Sequence, residues 1–111
     1  MTPLELAKRY MAIFYAGEPL DDLRPLVSDD LSFKGPFLEC HSAYEYIASL
    51  KSDPPKGCGY VVLHEYESDT SACLIYQFSK PGVTTPMAQV FGIRDGKIAE
   101  IQLIFDTRVF T

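Results

Sequence analysis

The dipeptide Asp95-Gly96 constrains this 111-residue chain more than any other feature. It stands between two apolar-rich runs, MAQVFGI (87–93) and IAEIQLIFD (98–106), inside the connection RDGK. The two-residue turn that matches strand twist needs positive φ at both central residues, which Asp-Gly supplies. Two long antiparallel strands are therefore predicted, and a sheet with an apolar face requires other elements to cover it.

Those elements lie upstream. Thr2-Pro3-Leu4-Glu5 combines a hydroxyl N-cap, a proline at the first helical position and a glutamate three residues after the cap. It predicts a helix to about Ala16, ended by Gly17, with Leu6, Tyr10, Ile13 and Phe14 on the buried stripe. A shorter helix is expected over 19–27, with Leu20, Leu23 and Leu26 inward and Pro25 disturbing it. Ser28-Asp29-Asp30 reads as a turn before a short strand, 31–34, ended by Gly35-Pro36. Ser42 with Glu45 forms a second capping box and opens a third helix to about Leu50. After a loop, 51–59, come four strand-like runs: 60–67, 72–79, 87–93 and 98–105. Their connectors, 68–71, 80–86 and 94–97, fit an antiparallel meander. Helices followed by strands indicate an α+β domain spanning residues 1–111, with helices on one face of a curved sheet.

Period-two alternation assigns the faces. Met87, Gln89 and Phe91 share one side, as do Leu74, Tyr76 and Phe78, and Ile101, Leu103 and Phe105. The mixed set Glu100, Gln102 and Ile104 faces the other way and fits a protein interface as readily as water. Seven tyrosines and seven phenylalanines, with no tryptophan, suit either a solid core or a pocket with apolar walls.

Charge excludes one partner class. Ten basic against fifteen acidic residues leave a net charge of −5, and no Lys/Arg cluster is present, so nucleic acid is not an expected partner. Cys40, Cys58 and Cys73 are odd in number and lack paired metal spacing, which argues against a disulfide framework or a zinc site. No cofactor is expected. No apolar stretch approaches the ~20 residues of a membrane span, and the start of the chain has no leader pattern. The expected location is cytoplasmic.

Taken together, RYMAIFYAGEPLDDLRPLVSDDLSFKGP (9–36), SAYEYIASL (42–50) and DGKIAEIQLIFD (95–106) resemble the nuclear transport factor 2-like, or SnoaL-like, superfamily. That resemblance implies a cystatin-like cone: three N-terminal helices packed on a curved, mainly antiparallel sheet. It also implies an apolar small-molecule ligand and a homodimer formed through the open sheet face. The superfamily holds ketosteroid isomerases, polyketide cyclases, epoxide hydrolases, dehydratases and non-catalytic modules, so the fold leaves function open.

Against the ketosteroid isomerase branch, Tyr10 matches the helix-one oxyanion donor. The second donor position falls on Gln89, and the general-base position falls on Gly35, which cannot accept a proton. That reaction is thus not expected as such. Asp106 resembles the acidic residue that SnoaL-like sequences carry at the last strand's end. It is the remaining carboxylate candidate beside Tyr10 and Gln89, although a strand-end aspartate also pairs readily with Arg108. Expected pocket residues are Phe14, Phe33, Phe37 and Tyr76, together with Phe78, Phe91, Leu103 and Phe105. His41, just ahead of a helix N-terminus, and His64, on a strand, are weaker candidates for a base. Two readings follow: a cofactor-free isomerase or cyclase working by proton transfer, or a dimeric binding domain without chemistry.

Overall fold

A computed structural model describes residues 1–15 and 19–110. Helix α1, Pro3–Tyr15, begins with the reciprocal cap that its sequence encodes: Glu5 N donates to Thr2 Oγ1 and Thr2 N to Glu5 Oε1, both at 3.1 Å. The helix end expected at Ala16 and Gly17 lies outside the described residues. Next come a 3-10 helix, Leu20–Leu26, strand β1, Val27–Lys34, the two-residue strand β2, Glu39–Cys40, and helix α2, Ala43–Ser52. Ser42 Oγ caps α2 by accepting from Glu45 N at 3.0 Å. Strands β3, Gly59–Glu67, β4, Ser71–Lys80, β5, Val83–Arg94, and β6, Lys97–Ile104, complete the sheet, and a 3-10 turn, Thr107–Phe110, follows.

The six strands form one sheet in the order β2-β1-β6-β5-β4-β3. The β3 to β6 meander is antiparallel as predicted, whereas β1 runs parallel to β6 and makes the sheet mixed. Asp95 and Gly96 turn the β5–β6 hairpin with φ of 53° and 74°, both in the left-handed region the turn demands. Helix α1 lies over β3, β4, β5 and β6, and α2 over β1 and β2. The core between them holds Leu6, Tyr10, Met11, Leu31, Leu74, Phe91, Ile98 and Ile101. Among the described residues, no helix is long and apolar enough to cross a membrane.

Three expectations are corrected. The middle helix is 3-10, because leucines at every third position fit three residues per turn and Pro25 removes a backbone donor. Ser28, Asp29 and Asp30 belong to β1 rather than to a turn, so a long strand precedes α2. Their pairing is irregular: between Val27↔Ile98 and Ser32↔Glu100 the strand loses register, and the two carboxylates turn outward to Arg24 and Arg94. The third correction shortens the 80–86 connector to Pro81-Gly82, since β5 starts at Val83 and includes Pro86. Pairing with β6 reaches only Ala88, so Pro86 sits where β5 has a single neighbour and a missing N–H is tolerated.

Candidate functional site

Both α-helices and four of the six strands send side chains into one cavity of about 190 Å³ that opens to the surface. Helix α1 contributes Tyr10, Phe14 and Tyr15, and α2 contributes Tyr46 and Leu50. The inward row of the sheet supplies Phe33, Tyr76, Gln89 and Leu103, with Phe105 just past β6, and residues 35–38 after β1 close one side. Phe37 is 66% exposed at the rim, its ring edge-on to Phe105 at 5.5 Å and to Phe110 at 6.1 Å.

Among the described residues, the apolar wall is interrupted only by phenols and one carboxamide. Tyr76 donates to Gln89 Oε1 at 2.8 Å, and the Tyr10 and Tyr46 hydroxyls bond each other. Gln89 is held by register, directly opposite Leu74 on β4 and Leu103 on β6. A carboxamide between two leucines is tolerable because the Tyr76 hydroxyl satisfies its oxygen. Phe33 stacks on Tyr46 at 4.6 Å, fixing that ring against the β1 side.

Burial pushes the Tyr10, Tyr15 and Tyr46 hydroxyls well above the ordinary phenol range, and Tyr76 up to about 12. Removal from water disfavours the phenolate, so all four remain proton donors at neutral pH. None of the described lining residues is a carboxylate, an imidazole or an amine. Among the described residues no cluster of His, Cys, Asp and Glu is arranged to hold a metal.

The sequence candidates divide accordingly. The structure brings Tyr10 and Gln89 to the cavity with Phe14, Phe33, Phe37, Tyr76, Leu103 and Phe105, and places Gly35 on the same wall. Phe91 lies outside the lining, beneath Tyr10, with its ring edge-on at 5.3 Å. Phe78 also lies outside, turned toward Tyr15 and Phe110.

Asp106 stands apart from the cavity. Its carboxylate accepts from Arg108 Nη2 at 2.7 Å and from the Arg108 backbone N–H at 3.0 Å, which closes the final 3-10 turn. Those Arg108 contacts hold its carboxyl below the usual range. His41 is exposed, 3.5 Å from Glu39, and His64 stacks on Tyr66 on the sheet's open side. Sequence reasoning missed Tyr15 and Tyr46. The spacing of Ala43, Tyr46, Ile47 and Leu50, all buried, carries the signal for Tyr46.

No model of a protein family matches the sequence, and neither does any curated protein. Solved structures do match. An NTF2-like protein from Cytophaga hutchinsonii superposes with a TM-score of 0.79 at 19% identity, covering 97% of this chain and 93% of that one. The chain has the nuclear transport factor 2-like fold. A protein from Kribbella flavida superposes at 0.85 with 23% identity, over 98% of this chain and 90% of that one. An LEH-like epoxide hydrolase from M. tuberculosis does so at 0.78 with 14% identity, over 96% and 84%. Within this nuclear transport factor 2-like frame, the cavity is the space between the helical cover and the concave face of the sheet.

Proposed function

We propose that this protein binds an apolar small molecule of one or two rings that carries a hydrogen-bond-accepting oxygen. The observation that carries the reading is the lining itself: aromatic and aliphatic walls around a buried set of donors, with no charged side chain among the described lining residues. A volume of about 190 Å³ is somewhat larger than the ~150 Å³ cavity that holds a benzene ring. An ion would lose its hydration without a counter-charge, so a neutral ligand is favoured.

The same lining weighs against proton-transfer chemistry. The Tyr10–Tyr46 pair, which uses one hydroxyl proton between its members and keeps the other, can polarise an oxygen, which is the electrophilic half of an isomerase or cyclase. The other half is a base near neutral pH, and the position where the isomerase resemblance expects one is Gly35. Binding is therefore preferred over turnover.

Cumene (isopropylbenzene), followed by calorimetry, tests the reading. Wild-type protein is expected to bind it with sub-millimolar affinity, and Leu103→Trp, which fills the cavity, to abolish binding without loss of fold. Unchanged binding by Leu103→Trp, or none by the wild type, overturns the proposal.

We further propose that a second copy covers the open sheet face. Two cross-strand rows support this: Tyr66, Cys73, Val90, Gln102 and Lys34 in one, His64, Ile75, Ala88 and Ile104 in the other. Tyr66 and Ile104 are more than half exposed. Lys34 and Glu100, of opposite charge, share the face, as a self-complementary two-fold contact favours.

A further inference from the structure

We propose that the molecule seated in the cavity carries a second aromatic ring, and that this ring docks outside it, on a corner of three phenylalanines at the mouth: Phe37, Phe105 and Phe110. The proposal rests on the reading of the cavity as a ligand site. It names the class of molecule that fits, two aromatic rings joined by a short tether.

Volume carries the first half of the argument. A cavity of ~150 Å³ holds one benzene ring, so about 190 Å³ takes one ring with its substituents and no second ring. Anything longer continues through the opening, and the residues there decide what it meets. Phe37 and Phe105 line the cavity and also reach the surface, so the apolar wall runs outward to the rim. Phe110, on the final 3-10 turn, extends that wall, with its ring 5.1 Å from Phe105 and 6.1 Å from Phe37.

Shape carries the second half. The planes of the three rings meet at 65°, 84° and 74°, which makes a steep-walled corner rather than a flat patch. Aromatic pairs prefer edge-on or offset contacts, and a ring set into such a corner makes one of each kind. An alkyl chain there gains only the buried area. Phe37 is mostly exposed, so it has surface left for a ligand to cover.

The corner is held by contacts within the protein itself. Phe110 also meets Phe78 at 6.0 Å, and Lys80 Nζ lies 5.0 Å from its ring centroid. The turn that carries it is closed by Asp106, whose carboxylate accepts from the Arg108 backbone and side chain.

The experiment compares propiophenone with 1,3-diphenylpropan-1-one, which differs only by a phenyl group in place of a terminal hydrogen. Calorimetry gives the affinity of each for wild type, Phe37→Ala and Phe37→Tyr, and the ratio of the two affinities is the readout. General loosening of the fold weakens both ketones and leaves that ratio unchanged. The wild type is expected to favour the two-ring ketone by roughly tenfold, the worth of the buried area and ring contacts at the rim. In Phe37→Ala the preference is expected to fall to about threefold or less, whereas Phe37→Tyr, which keeps the ring, retains it. Nuclear Overhauser contacts in the wild-type complex should join the distal ring to Phe37 and Phe110.

A wild-type ratio near one, or a ratio untouched by Phe37→Ala, overturns the mouth subsite while propiophenone binding leaves the cavity reading standing. If Phe37→Ala instead alters sedimentation and not the ratio, the corner is a contact between two copies and the proposal is likewise overturned. A wild type that binds neither ketone overturns the reading of the cavity, and the subsite falls with it.

Discussion

A buried phenol is tolerated while it holds its proton, and four of the seven tyrosines in this chain are in that position. Below pH 10 they are protonated in both the folded and the unfolded state and make no pH-dependent contribution. Above pH 10 the unfolded chain releases these protons while the folded chain retains them, Tyr76 up to about 12. The folded state then binds more protons than the unfolded one, so stability falls with rising pH, by about 1.4 kcal/mol per pH unit for each such tyrosine. Unfolding followed by circular dichroism should coincide with the phenolate absorbance of these four residues. Tyr76→Phe should soften the decline. Phenolate absorbance from all seven tyrosines well before unfolding would show that the cluster is open to water. Tyr10 and Gln89 were legible as inward residues from alternation and helical spacing. Their partners were not, because a hydroxyl's partner depends on where another element brings its own.

At the scale of elements, the chain relies on local signals that agree with tertiary need. The β5–β6 hairpin is the clearest, since its turn sets the register that puts Gln89 opposite Leu103 and Phe91 opposite Ile101. Gly96, at φ 74°, has open space around it, so Gly96→Ala meets no clash and probes backbone strain alone. It should cost about 1 kcal/mol, read from the shift of the urea midpoint at unchanged slope. A neutral result would mean that the turn relaxes to another type. The Asp95-Gly96 pair announced itself in the sequence, whereas Pro81-Gly82 was hidden because Pro86 read as part of a connector. That proline is acceptable only because β6 stops opposite Ala88, which local sequence does not contain.

For the whole molecule, the two faces of the sheet divide the labour: the inner face with the helices encloses the cavity, and the outer face carries apolar side chains beside Lys34 and Glu100. If a second copy covers the outer face, Ile104→Lys should convert a dimer to a monomer in sedimentation velocity, with cumene binding retained. A wild type that sediments as a monomer at high concentration would remove the dimer proposal. Asp106 shows how the scales interact. Its position at the end of β6 suited a base, but the backbone turns there and Arg108 closes on it, away from the cavity. The sequence by itself determined the four-strand meander, the starts of both α-helices, the α+β class and the inward row of Tyr76, Gln89 and Leu103, because caps, turns and periodicity act over a few neighbours. Only the tertiary structure decided that β1 lies parallel to β6, that Tyr15 and Tyr46 join Tyr10, Tyr76 and Gln89, and that Asp106 does not. Those outcomes depend on the distance between residues far apart in the chain, which packing sets and local patterning does not encode.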